Sequence, residues 1–590
     1  MHYRIEAADL HAHLYGVTLT IARPAAGQRV SLPVWIAGSY MVREFAKQIT
    51  GISARQGSRA VAVHQEDKSS WVIDCQADQA LTLYYQVHAH DDSVRTAWLD
   101  GQRGFFNGTS LCLQVQGFTE VPHQLELVSA SFNAHASHAP WHVATGLTPL
   151  QTDRQGFGTY VAANYDELVD CPVEMGAFWS GTFKACGVEH RFVVAGATPA
   201  FDGARLLRDA QKICETAITF WHGKKRTAIP HANYVFMLNA VASGYGGLEH
   251  RNSTALICQR ADLPRIGDTK TSEGYTTLLG LISHEYFHTW NVKRLRPAEM
   301  ASYDFTQENY TELLWFFEGF TSYYDDLLLR RAGLINDTQY LQLLNKTINQ
   351  VLQTPGRHVH SVAQSSFEAW TKYYRPDANS PNLTVSYYTK GALVALCLDL
   401  SLRLHGVKNH QLCLDDVMRA LWTRCHAGPM TEADVLAVLK DLTGRSWASE
   451  FKAWVHGTRD LPLPQLLASH GVTVHHDPAQ LAQRLGLRVS EDHGVHIKTV
   501  LNGSAAHRAG FAPGDEWLGI ALAGKKPSAW RLQKLDDVLL YAGPAKKVTA
   551  FISRDRQLLQ LPLTLPSDQT HSTWRLSIEN TERVKRWLAL

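Results

Sequence analysis

In the segment Ser283-His284-Glu285-Tyr286-Phe287-His288, two histidines stand four positions apart with a glutamate directly after the first. On a helix, positions i and i+4 lie one above the other on the same face, so both imidazoles can converge on a single ion. Glu285 is rotated by one residue. It is poorly placed as a third ligand but lies beside the metal, where a bound water would sit and a general base is wanted. The ion this chemistry suits is zinc. In a chain with 29 histidines the spacing can also arise by chance, as a polar stripe with i,i+4 contacts. Leu278, Leu279, Leu281, Ile282 and Phe287 weigh against that, because they make the helix apolar nearly all round. Such a helix is buried, and buried imidazoles flanking a carboxylate need partners.

A third ligand has to come from elsewhere. The periodicity predicts a helix from Tyr310 to Gly333, with Leu313, Leu314, Phe317, Phe320, Tyr324 and Leu327 on one face, and Glu318 falls among them. A carboxylate on an apolar face costs several kcal/mol unless something pairs with it. Glu318 is therefore the candidate third ligand, a capping or salt-bridged glutamate being the alternative. Asp325, two turns on, is placed to orient a ligand histidine.

The elements that must hold these residues belong to a long chain. At 590 residues it exceeds what one core can organise, and three to four domains are expected. A hydrophobic share of 45% with 19% charged residues is that of a globular protein. The 57 basic and 55 acidic residues are intermixed and nearly cancel, which implies neither a nucleic-acid nor an anionic-membrane partner. No apolar run approaches the roughly 20 residues that span a bilayer. The start, Met1 to Asp9, has neither a basic segment nor an apolar core, so no secretory signal is read and a cytoplasmic location is expected. The nine cysteines are scattered without a C-x-x-C pair, against both a disulfide framework and a thiolate zinc site.

Residues 1–171 read as an N-terminal β domain of sandwich type. Strands are expected at Val17–Ile21, Val30–Ile36 and Leu81–Val87, between Gly, Pro and Asp clusters. Residues 172–462 read as the catalytic domain, mixed at first and then all-helical. A strand at His190–Ala195, a helix from Gly203 to Trp221 and a strand at Tyr234–Leu238 lead into Gly244 to Ser253. There Gly246 and Gly247 suit either an exposed strand that a ligand backbone can approach or a plain loop. Helices follow the metal segment up to about Leu461, and Pro462 and Pro464 mark a linker. A small β-rich unit occupies 470–566, and a tail with a short amphipathic helix fills 567–590.

Several stretches are too particular to be generic strand or helix text: Trp35 to Arg43, Tyr165 to Gly176, Gly246 to Ser253, His284 to Pro297, Phe317 to Tyr324, and Tyr388 to Gly391. Through these the chain resembles the glycyl aminopeptidase family of zinc metallopeptidases that carry a PDZ domain, over essentially its whole length. The resemblance implies a multidomain α+β fold. It has a β-sandwich-like N-terminal domain, a thermolysin-like catalytic domain and a C-terminal PDZ domain. It implies that His284, His288 and Glu318 hold Zn2+ and that Glu285 is the base. Glu249, with Gly246 and Gly247 in the same word, would bind the substrate's α-amine, and Tyr388 would donate to the oxyanion. His250 departs from the asparagine of the larger zinc aminopeptidases, and 29 residues separate His288 from Glu318, more than in those enzymes.

Residues 485–515 resemble PDZ domains of the bacterial protease type. Leu485, Gly486 and Leu487 would form the loop that caps a peptide's C-terminal carboxylate, unless the unit serves only for packing. The function implied is release of an N-terminal residue, glycine or alanine by family resemblance, from peptides with a free N-terminus. The rivals are a zinc endopeptidase, which has no need of Glu249, and a PDZ-mediated peptide-binding or regulatory protein.

Overall fold

A computed structural model of the chain describes residues 1–129, 140–223, 228–405, 411–522, 528–568 and 572–589. It is a multidomain α+β molecule with a β-rich N-terminal part. An eight-stranded sheet is centred on His2–Asp9, Leu14–Ile21, Leu81–His88 and Ile49–Gln56, and two four-stranded sheets pack with it. The strand Leu81–His88 shows why: Leu81, Leu83, Tyr85 and Val87 are buried while the residues between them are more exposed, the period of two that a half-buried strand requires. One neighbouring pair, His2–Asp9 with His123–Leu127, is parallel.

The strand expected over Val30–Ile36 ends at Ser31. Pro33 has no N–H to give to a ladder, and beyond it the chain turns away from the sheet, and the Val34 amide donates to Phe305 O at 2.8 Å. The idiosyncratic Trp35 to Arg43 segment is therefore an interdomain loop.

After the β-rich part comes a five-stranded sheet in the order Trp179–Ala185, Val188–Ala195, Asn233–Val241, Ser253–Gln259, Gly246–Glu249. The last strand pairs antiparallel with Ser253–Gln259 and leaves its other side as the sheet edge. Of the strand and loop readings of the glycine stretch, the structure has the strand.

Helices supply the rest: Gly203–His222, Glu273–Phe287, Leu314–Arg331, Asp337–Leu352, Tyr387–Leu404, Leu414–Arg424 and Glu432–Thr443. Ser272 caps the motif helix by accepting from the Tyr275 amide. The two helices that carry Glu318 and Tyr388 cross glycine to glycine. A Cβ on Gly319 would stand 2.6 Å from Gly391 Cα, and one on Gly391 would stand 2.5 Å from Trp315 O. Only glycine admits that approach.

Where the prolines suggested a linker, Leu463–Ser469 is a short helix with Pro464 in its first turn, and Leu463, Leu466 and Leu467 join the main core. The C-terminal β unit has its own core, built around Leu485, Ile497, Trp517, Ile520 and Ile552. Val472–Pro478 and Ser572–Ile578 form a separate two-stranded ribbon at its base. The terminal helix Thr581–Leu588 returns Val584, Trp587 and Leu588 to the main core. Among the described residues no helix is long and apolar enough to cross a membrane.

Candidate active site

The motif helix and the Leu314–Arg331 helix bring His284, His288 and Glu318 together. Glu318 Oε2 lies 3.5 Å from His284 Nε2 and 3.2 Å from His288 Nε2. Ligands about 2.0–2.2 Å from a tetrahedral zinc stand roughly 3.3 Å from one another, so this donor set fits the ion in kind and in spacing. Each ring is oriented from behind. His284 Nδ1 is 3.0 Å from Asp325 Oδ2, and His288 Nδ1 is 2.8 Å from Asn291 O. Asn291 in turn donates through Nδ2 to Phe317 O and to Thr321 Oγ1, both at 3.1 Å, which ties the loop after the motif to the helix of Glu318. The next residue, Val292, has φ 112°, a strained conformation for a β-branched side chain, held in part by its amide donating to Leu295 O at 2.8 Å.

A second cluster shares His288: ligand atoms of Glu249, Glu285 and His288 all lie within 4.8 Å of one another. Glu285 Oε2 and Glu249 Oε1 are buried without a hydrogen-bond partner among the described residues. Buried carboxylate oxygens of this kind call for a cation or a donor that arrives with a ligand. Burial, reinforced by Glu249 and Glu318 and opposed by His284 and His288, pushes the Glu285 carboxyl up to about 7. Burial alone would raise Glu318 as well, but His288 and His284 bring it down to about 2. Two carboxyls on neighbouring elements are thus driven apart, one toward a proton acceptor near neutrality and one toward a permanent anion.

The glycine edge strand lies directly over this pair. A Cβ on Gly247 would meet Glu285 Oε1 at 2.1 Å, so the strand presses its backbone onto the motif helix. Glu249 is covered from the N-terminal domain: Gly38, at φ +88°, approaches so closely that a Cβ there would stand 2.4 Å from Glu249 Oε2. Tyr40 follows, 4% exposed, its hydroxyl without a partner among the described residues. Tyr388 lies on the His284 side of the site. Its ring centroid is 6.3 Å from that of His284, and its hydroxyl is 3.4 Å from that of Tyr374. Burial and the Glu318 charge hold the Tyr388 phenol well above its usual range, so it keeps its proton and can donate.

His250, adjacent to Glu249, faces the domain interface. Its Nδ1 lies 3.2 Å from Asp170 Oδ1, and the same carboxylate accepts from Lys293 Nζ at 2.6 Å and from the Arg251 amide at 3.1 Å. Burial opposes charge on Asp170, yet Lys293, His250 and Arg251 hold its carboxyl far below the usual range. The Tyr165 to Gly176 segment is thereby explained as a docking strut. Leu485, Gly486 and Leu487 lie apart from all this in the C-terminal unit, Gly486 at φ +71° between a short helix and the edge strand Leu487–Ser490. Sequence reasoning missed Tyr40, Arg43, Arg95, Asp170, Asn291 and Tyr374. Tyr40, Arg43, Asp170 and Asn291 fall within the particular stretches Trp35 to Arg43, Tyr165 to Gly176 and His284 to Pro297, but all six sit outside the regular helices and strands, where periodicity says nothing.

Residues 277–394 match the family model of the M61 glycyl aminopeptidase, and residues 2–177 match that of the peptidase M61 N-terminal domain. A comparison with curated proteins returned no match. An aminopeptidase N family protein from Idiomarina loihiensis is similar in structure with TM-score 0.91 and 37% identity, over 100% of this chain and 99% of that one. An M1 zinc metallopeptidase from Deinococcus radiodurans is similar with TM-score 0.46 and 16% identity, over 79% of this chain and 94% of that one. The chain belongs to the M61 glycyl aminopeptidase family, and it is a hydrolase of the aminopeptidase class.

Proposed function

We propose that this enzyme is a zinc-dependent aminopeptidase that releases an N-terminal glycine or alanine from peptides. The observation that carries the reading is the pair of buried, unpartnered carboxylates, Glu249 and Glu285, set against His288 beside a two-histidine, one-glutamate donor set. His284, His288 and Glu318 would hold the zinc, which when bound supplies Lewis acidity toward the scissile carbonyl and the attacking water.

Glu285 accepts the proton of the attacking water and passes it to the leaving amine, a task suited to a carboxyl raised to about 7. Tyr388 donates to the oxygen that gains charge as the carbonyl carbon becomes tetrahedral. Glu249 receives the substrate's α-ammonium, whose desolvation on entering this buried site has to be offset by an opposite charge. The cover over Glu249, formed by Gly38 and Tyr40, leaves little room beside the amine, which favours a residue with a small side chain.

The purified enzyme is expected to hold one zinc per chain and to release free glycine or alanine from peptides. Internal cleavage of a peptide blocked at its N-terminus would favour an endopeptidase instead. In the C-terminal unit, the edge strand Leu487–Ser490 pairs, among the described residues, on one side only, with Val495–Val500, and supports a PDZ-like role in which a peptide C-terminus adds as a strand next to Leu485, Gly486 and Leu487. Isothermal titration of the full-length enzyme with C-terminally free and amidated peptides that lack a cleavable N-terminus tests it; equal binding of both would leave the unit a packing element.

A further inference from the structure

Arg95 of the N-terminal domain reaches the edge strand that lies over Glu285, and Arg43 stands on the loop whose Gly38 covers Glu249. Arg95 donates through Nη2 to Gly247 O at 2.9 Å, and its Nη1 would stand 3.7 Å from a Cβ on Gly246. Arg43 donates through Nη2 to Ser39 Oγ at 3.1 Å. The Nε atoms of both are buried without a hydrogen-bond partner among the described residues. Neither guanidinium has a carboxylate in salt-bridge range among the described residues. Arg103 of the same domain, by contrast, is paired through two bonds with Glu174. Burial, and after it the like charge of Arg95, lowers Arg43 to about 10, and Asp91 opposes this only from a distance. Both arginines are electrostatic neighbours of Tyr374, whose hydroxyl meets that of Tyr388, so they lie on the Tyr374 side of the site. Two part-buried cations without an anion, on the side of the site where Arg95 meets the edge strand, form a receptor for one.

The strand gives the position of that anion along a substrate. With the α-amine at Glu249 and the base Glu285 under Gly247, a peptide running antiparallel to Gly246–Glu249 has its carboxyl end at Gly246. Three residue steps of an extended strand cover about 10 Å, which is also about the span of an extended tripeptide.

Resting on the aminopeptidase reading above, we propose that Arg43 and Arg95 bind the C-terminal carboxylate of di- and tripeptide substrates, so that the enzyme measures its substrates from both ends. The site forms only when the N-terminal domain is docked, since Arg43 and Arg95 come from that domain and the strand does not.

The test uses the full-length, zinc-loaded enzyme. It compares kcat/KM for di- and tripeptides with N-terminal glycine as free acids and as C-terminal amides, with glycyl p-nitroanilide as a substrate lacking any carboxylate. The free acid should be preferred by about ten- to a hundredfold, through KM, and hexapeptides should show a ratio near one. Arg43→Gln and Arg95→Gln should each shrink the free-acid to amide ratio, and the double variant should bring it close to one. Arg43→Gln keeps the test valid if loss of the Arg95 bond to Gly247 disturbs the strand. A wild-type ratio near one on short peptides, or variants that keep the ratio, would overturn the proposal. So would a Gly-Asp amide cleaved as well as the free acid, because the site would then read a side chain. Cleavage of the anilide without any free-acid preference overturns this proposal alone. Failure to cleave the anilide or either peptide overturns the aminopeptidase reading as well.

Discussion

At the residue scale, the site divides work among carboxylates by environment. Glu318 is held as an anion by two imidazoles, and Glu285 is raised by burial and by its acidic neighbours. Glu318→Gln, an amide being a poorer ligand, should lower zinc affinity with the fold retained; full zinc occupancy with unchanged activity would remove Glu318 from the site. Glu285→Gln should keep its zinc and lose kcat by orders of magnitude. Tyr388→Phe should lower kcat by about 10²- to 10³-fold with little change in KM. A deficit wholly in KM would make Tyr388 a wall of the pocket. His284, Glu285 and His288 were legible from spacing, and Glu318 from a charge on an apolar face. Glu249 and Tyr388 were not legible from pattern, because their significance lies in contacts with residues far away in sequence, and only the resemblance marked them.

At the element scale, positions are fixed by close approach of backbones. The glycine crossing at Gly319 and Gly391 sets the spacing between Glu318 and Tyr388. Gly391→Ala should cost about 1–3 kcal/mol in stability, since the added methyl meets the Trp315 carbonyl, a backbone atom that cannot swing aside. Chemical denaturation measures that loss, and a variant as stable as the wild type would mean the helices separate freely. Helix existence was readable from periodicity: Gly203–His222 lies within one residue of the expected bounds. The strand over Val30–Ile36 was misread because hydrophobicity continues past Pro33 for a different reason, namely burial against another domain.

At the scale of the whole molecule, the N-terminal domain is part of the site. Gly38 covers Glu249, Arg95 holds the edge strand, and Asp170 anchors the interface through Lys293, His250 and Arg251. Asp170→Ala would leave Lys293, 2% exposed, without its counter-charge, a loss of about 3–5 kcal/mol. The pH dependence follows from the depressed carboxyl. An unfolded aspartate titrates near 3.9, so the contribution of Asp170 is fully present above that pH and declines as pH falls below it toward the folded value. The stability difference between the wild type and Asp170→Asn should therefore shrink as the pH is lowered from about 6 to 3. A difference that stays constant over that range would remove Asp170 from the acid limb. None of this docking was visible in the sequence, because each contact joins segments about 80 or more residues apart and leaves no local period.

The central claim is that Glu249 makes the enzyme an exopeptidase by holding a free α-amine. It is tested most directly by kcat/KM for a glycyl peptide and its N-acetylated counterpart, measured on the wild type and on Glu249→Ala at equal zinc content. A charge-assisted bond of roughly 1.5–3 kcal/mol predicts strong wild-type preference for the free peptide and a loss of about ten- to a hundredfold in the variant, carried by KM. Equal hydrolysis of free and blocked peptides by the wild type, or a Glu249→Ala enzyme that discriminates between them as well as the wild type, would contradict it.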